Sequence, residues 1–158
     1  MFQKAVENIK IIGFEPGLSK DFKDLNIAWL EKYFIVEPVD EKVLNDPQRE
    51  IIDKGGYIFF TKSGNTIAGT VSLIKLNDSE YELAKMAVDE SFQGKKIGTR
   101  MLEYCIDFAK DLNAKKLVLY SNKKLLPALH LYHKYGFAEV PIKNSDYKRS
   151  DIKMEKVL

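Results

Sequence analysis

A chain of 158 residues with 25 basic and 23 acidic side chains has a net charge of only +2. That balance argues against a dedicated nucleic-acid binder, which would carry a basic excess, and no apolar run approaches the roughly 20 residues of a membrane span. One cysteine, Cys105, and two histidines exclude an internal disulfide and a zinc site of the usual Cys/His kind. The start of the chain, Met1 to Glu7, shows no apolar leader. The expectation is one cytoplasmic α/β domain over residues 1–158, holding no metal.

Ile9, Ile11 and Ile12 mark a first strand over 8–14, stopped by Pro16-Gly17. Ser19 opens a helix to about residue 34, with Phe22, Leu25, Trp29 and Tyr33 spaced by three and four. Asp46-Pro47 reads as an N-cap followed by a first helical proline, and Gly55-Gly56 closes that second helix. Three β-rich runs follow, 57–62, 66–76 and 81–88, divided by Ser63-Gly64-Asn65 and Asn77-Asp78-Ser79. They should form an antiparallel meander.

From Ile97 the period changes. Ile97, Met101, Cys105, Phe108 and Leu112 recur every three or four residues, and Leu102, Ile106 and Ala109 widen the stripe. Such a helix packs on a sheet, and Cys105 within the stripe should be inert. Residues 117–120 are an apolar strand suited to the sheet's middle, parallel to the strand before the crossover. A last helix runs to Tyr135 and is closed by Gly136, and strands over 137–141 and 148–157 end the chain. The expected fold class is α/β (α+β), a mixed sheet of about seven strands flanked by four helices.

Most of the chemistry gathers in Gln93-Gly94-Lys95-Lys96-Ile97-Gly98-Thr99-Arg100, a turn from a strand into a helix. Exposed N–H groups at a helix start bind anions. Lys95, Lys96 and Arg100 crowd an end whose dipole disfavours cations by about 0.3–1 kcal/mol each, which makes sense with an anion among them. A solvated basic turn is the plain alternative. Walker spacing fails, because Gly94 and Gly98 enclose three residues and no lysine separates Gly98 from Thr99. The dinucleotide G-x-G-x-x-G is absent, and this turn follows the fourth strand rather than the first.

Strand 81–88, this turn, its helix, and the later Leu129-His130-Leu131-Tyr132-His133-Lys134-Tyr135-Gly136-Phe137 together resemble the GNAT N-acetyltransferases. The signature of that family is R/Q-x-x-G-x-G/A before a long helix, followed by an LYxKxGF segment. Gln93 and Gly98 match its first and last motif positions, and Lys96 stands where the middle glycine is usual. The resemblance implies acetyl-coenzyme A as donor. Its pyrophosphate would be held by Gln93, Gly94, Lys95, Lys96, Ile97, Gly98, Thr99 and Arg100, and its pantetheine would lie along Met86, Ala87 and Val88.

The resemblance also implies that Tyr132 protonates the departing thiolate, and a phenol is a proton donor at neutral pH. Many relatives carry an asparagine seven residues before this tyrosine; Leu125 stands there, with Asn122 as the substitute. Glu82 is the candidate base for the acceptor amine, placed by strand alternation on one side with Ala84, Met86 and Val88, and a solvated or ion-paired glutamate is its alternative. Trp29, Tyr33 and Phe34 read as core, and the resemblance implies that a share of them borders the acceptor. His130 and His133 read as solvated helix face. Lys148, Arg149, Lys153 and Lys156 read as the exposed basic face of the last strand.

The implied function is acetyl transfer from acetyl-coenzyme A to a primary amine, on a small molecule or a protein, by direct attack in a ternary complex. Neither nucleic acid nor membrane is expected as a partner, and the chain would act as a monomer or homodimer. The competing reading is a non-catalytic acyl-coenzyme A-binding module of the same fold.

Overall fold

The structure is a computed structural model and describes residues 8–158. Residues 1–7, the start of the expected 1–158 domain and the segment read as lacking a leader, lie outside the described residues. Strands β1 (Ile9–Gly13), β2 (Tyr57–Ser63), β3 (Thr66–Lys75) and β4 (Glu80–Val88) pair antiparallel in turn. β5 (Lys116–Ser121) joins β4 in parallel, and β7 (Ile152–Val157) and β6 (Ala138–Val140) continue antiparallel. The result is a mixed seven-stranded sheet ordered β1-β2-β3-β4-β5-β7-β6. The expected meander and the parallel crossover are both present.

Helices α1 (Ser19–Tyr33), α3 (Ile97–Asp111) and α4 (Leu126–Lys134) lie where their periodicity puts them. The segment after α1 departs from expectation. Helix α2 occupies Pro38–Asn45, a stretch unassigned from sequence, and the helix expected from Asp46 shrinks to a π-helical segment, Gln48–Ile52. Asp46 still caps it, its Oδ1 accepting the Arg49 N–H at 3.2 Å. The start of α2 carries no Ser, Thr or Asn signal. Pro38 takes the first turn and Asp40 Oδ2 accepts the Glu37 N–H at 2.9 Å, which does the work of a cap from inside the helix.

On one face of the sheet Met101, Leu102, Cys105 and Ala109 of α3 pack against Leu83, Leu117, Leu119 and Met154. Gly69 on β3 sets that approach: a Cβ there would meet Met101 Cε at 3.0 Å and Ile97 Cγ2 at 3.1 Å. Cys105 is fully buried, and burial raises its thiol pKa, as its place in the stripe implied. On the opposite face Phe22 and Leu30 of α1, Leu44 of α2 and Ile51 cover Ile58 and Phe60.

Two irregularities position the site. The β4–β5 ladder has only three pairs, Glu80↔Lys116, Tyr81↔Leu117 and Glu82↔Val118, beyond which the strands part. In β4 the register against β3 slips, so that Val71 alone faces both Lys85 and Met86, and Lys85 takes φ +56. Such a bulge bends its strand and resets side-chain alternation. The parity assigned to Glu82 is therefore corrected. Glu82 and Ala84 stay on the α1–α2 face, Glu82 opposite Ile74, while Met86 and Val88 turn to the α3 core. The last strand is also shorter than expected. Lys148 and Arg149 precede it, and the Arg149 side chain, at 16% exposure, is no part of a solvated basic face. Lys153 and Lys156 lie on β7, both part-buried.

Candidate active site

Where β4 and β5 part, a cavity of about 230 Å³ opens between them, bounded by α1 and α4. Of the residues singled out from sequence, it brings together Met86, Ala87, Val88, Gln93, Asn122 and Tyr132. Trp29 and Phe34 line it as well, their ring centres 5.6 Å apart, and the Tyr33 ring lies tilted against Trp29 with centres 5.4 Å apart. Glu82 is outside this lining, as are Gly94, Lys95, Lys96, Ile97, Gly98, Thr99 and Arg100, which follow directly on Gln93.

The turn after Gln93 leads into α3 through two left-handed residues, Gly94 at φ +78 and Lys96 at φ +60. Glycine takes this conformation freely, and an L side chain does so at about 1–2 kcal/mol. Lys96 therefore adopts the backbone that a glycine would supply at its motif position. Arg100 is the first residue of the helix to bond back, to Lys96 O at 3.1 Å, and no side chain caps this end. The N–H groups of Ile97, Gly98 and Thr99 are left without an intrahelical acceptor. The Ile97 side chain itself is buried in the core beneath. Gln93 Nε2 donates to Val88 O at 3.2 Å and ties the turn to the end of β4.

Tyr132 projects from α4 beside Leu131 and Tyr135, packed against the α3-side core, with its ring edge-on to Phe137 at 5.9 Å. Burial pushes its phenol up to about 12, so it stays protonated at neutral pH. Asn122 Nδ2 donates to Arg149 O at 2.7 Å, and its Oδ1 accepts the Lys124 N–H at 2.9 Å. Its carboxamide thus organises the loop ahead of β7. Leu125, in the usual asparagine place, lines the cavity. His130 and His133 are exposed on α4.

Glu82 is buried on the α1–α2 face. Burial pushes its carboxyl up to about 7; Lys85 nearby draws it down and Asp146 pushes it further up. Beside it lies a buried ionic cluster that the sequence did not reveal. Asp40 accepts from Lys85 Nζ at 2.7 Å, from Arg149 Nη1 and Nη2 at 2.7 and 2.9 Å, and from the Glu37 N–H. Burial alone would raise the Asp40 pKa, but the hydrogen bonds from Arg149 and Lys85 prevail and hold it at about 2. Glu37 accepts the Lys148 N–H at 2.8 Å, and the Arg149 N–H and Nη1 at 3.3 and 3.1 Å. Lys85 and Arg149 each lie 4.6 Å from the centre of the Tyr147 ring. Lys85, Tyr147 and Arg149 all line the cavity. The one local hint was a lysine inside an otherwise apolar stretch of β4.

Residues 20–137 match the family described as acetyltransferase (GNAT) family. Over 104 residues the chain is 31% identical to the uncharacterized N-acetyltransferase YvbK of Bacillus subtilis, covering 64% of this chain and 67% of that protein. A GNAT-family acetyltransferase from Staphylococcus aureus superposes with a TM-score of 0.84 at 21% identity, over 94% of this chain and 98% of the other. The PaiA N-acetyltransferase of Thermoplasma acidophilum, solved with coenzyme A, superposes at 0.75 and 17% identity, over 96% and 99%.

Proposed function

The chain belongs to the acetyltransferase (GNAT) family and is an N-acetyltransferase, and from this premise we propose that residues 1–158 act as one domain that moves an acetyl group from acetyl-coenzyme A directly onto a primary amine in the β4–β5 cleft. The observation that carries the reading is the parting of β4 from β5 beside an uncapped helix start. From Leu83 onward the β5-facing edge of β4 has no ladder partner. Met86, Ala87 and Val88 therefore offer backbone groups to an extended pantetheine arm. The open N–H groups of Ile97, Gly98 and Thr99, with Lys95, Lys96 and Arg100 around them, suit a pyrophosphate. Gly94 and Gln93 shape that turn, and Asn122 supports the cleft through the Arg149 loop.

Acetyl-coenzyme A supplies the acetyl thioester. Glu82 accepts a proton from the acceptor ammonium, through water because it stands off the cavity lining, and its pKa near 7 suits a base at neutral pH. The freed amine nitrogen forms the new C–N bond as the C–S bond breaks. Tyr132 gives its phenol proton to the departing sulfur, and the tyrosinate is reprotonated by the second proton that the attacking nitrogen sheds as it becomes the amide. Cys105 lies buried in the α3 core with a raised pKa, so it offers no acyl carrier, in keeping with direct attack.

Tyr132→Phe tests this reading. The ring stays and the proton donor goes, so kcat should fall about 10²–10⁴-fold with an almost unchanged melting point. Acetyl-coenzyme A at a hundredfold excess over Kd should stabilise both proteins by about 2.7 kcal/mol. Full activity in the variant would remove Tyr132 from the chemistry. An unshifted melt in both would remove the donor site.

A further inference from the structure

Resting on that transfer reading, we propose that the acceptor is a small amine that also bears an anionic group, a carboxylate in the simplest case, bound by Lys85 and Arg149. The charged residues lining the cavity are these two, and no Asp or Glu lines it among the described residues. Asp40 and Glu37 lie behind them with their oxygens already engaged by Lys85, Arg149 and backbone N–H groups. Neither carboxylate is free to receive an acceptor's ammonium.

What the cluster has left over is donor capacity. An ammonium carries three N–H donors and a guanidinium five; Lys85 makes one side-chain hydrogen bond, and Arg149 makes three. The unused N–H groups sit on the two side chains that line the cavity. A carboxylate there gains charge-assisted hydrogen bonds, while a second ammonium of a polyamine would meet like charge on this lining. The carboxylates of Asp21, Asp24, Asp89 and Glu90 line a separate hollow that shares Trp29, Val88 and Gln93 with it. Lys85 also holds a left-handed backbone, φ +56, at the centre of the bulge. A glycine would take that conformation without strain, so the side chain is kept there against a local penalty. Trp29, Phe34 and Leu30 form the apolar walls, suited to the hydrocarbon between amine and anion.

The competing explanation is purely architectural: the cluster only pins the loop before β7 onto α2. Thiol release from acetyl-coenzyme A, measured with pairs of each amino acid and its carboxamide and with spermidine, separates the two. Hydrogen bonds to a charged group predict kcat/KM about ten- to a hundredfold higher for the preferred acid than for its amide. The amide's amine is the less basic and so the more available at neutral pH, which biases the comparison against this outcome. A des-amino carboxylate such as 3-phenylpropionate should compete with the acceptor, and its neutral amide should not. Arg149→Lys keeps the charge but loses the fork, so the ratio of acid to amide should shrink. If that variant fails to fold, the paired substrates still decide. Equal rates for acid and amide, or spermidine as the best acceptor, overturn the carboxylate inference and leave the transferase standing. No turnover with any amine, despite a melt shifted by acetyl-coenzyme A, overturns the transfer reading and this inference with it.

Discussion

On the α3 face of the sheet, Met101, Leu102, Cys105 and Ala109 meet Leu83, Leu117 and Leu119 in a wholly apolar contact. On the α1–α2 face, Asp40, Glu37, Lys85 and Arg149 are joined in a buried ionic cluster behind the cleft. The first face carries the helix whose open start faces the proposed donor, and most of what it offers is backbone. The second borders the proposed acceptor, and it offers side chains. Backbone donors at a helix start tolerate almost any side chain nearby, so that half should survive substitution. A buried charge cluster depends on every member, because each charge left unpaired must be desolvated alone.

Asp40→Asn breaks the second half most directly. The variant leaves Lys85 and Arg149 buried against a neutral amide, and breaking a buried pair costs about 3–5 kcal/mol. Urea melts at neutral pH read this loss, and a change under about 1 kcal/mol would show the cluster to be weakly coupled. The Asp40 pKa is depressed from its ordinary 3.8 to about 2. Its contribution to stability is therefore complete above pH 3.8 and is lost as pH falls through 2. The gap between wild type and variant should close over that window.

Glu82→Gln sharpens the contrast with the opposite sign. Burial lifts Glu82 from 4.5 to about 7. Between those values the folded chain keeps a proton that the unfolded chain has released, and stability falls as pH rises, by about 3 kcal/mol in all. The glutamine removes that slope, so the variant should be the more stable protein above pH 7. Wild type should show a rate that rises with pH up to about that value, and the variant should lack that limb. A variant that keeps both the slope and the limb would locate the titrating group elsewhere.

Lys96→Gly should do least. It relieves the left-handed strain of about 1–2 kcal/mol and gives back roughly 0.5–1 kcal/mol in unfolded-chain freedom. Losing one exposed cation should weaken acetyl-coenzyme A by no more than about fivefold, as isothermal titration would read. Abolished binding would mean that the turn grips through side chains and not through backbone.

Several parts of this molecule were legible from order alone. The meander of β2, β3 and β4, the stripe of α3, and the motif pair from Gln93 to Gly98 and from Leu131 to Phe137 are local patterns. Each is set by neighbours within a few residues, through alternation, helical period and turn chemistry. Tyr132 stands in one of these local patterns, but its role was implied by the resemblance of residues 131–137 to the family segment, and its helix face alone fits a core tyrosine as well. Helix α2 was missed because its start is held by Asp40 from within, with none of the usual cap residues.

The acceptor side was decided only by tertiary structure. Lys85 meets Asp40 across 45 positions and Arg149 meets it across 109, separations at which no local pattern survives. The bulge at Lys85 likewise shows only in the pairing of β4 with β3, just past the point where β4 leaves β5. It reverses the alternation that would have set Glu82 beside Met86. Hydrophobic period is written along the chain because burial acts on each residue separately. A buried charge is settled only by which opposite charge the fold brings to meet it, and the packing of α2 and the Arg149 loop against β4 makes that choice.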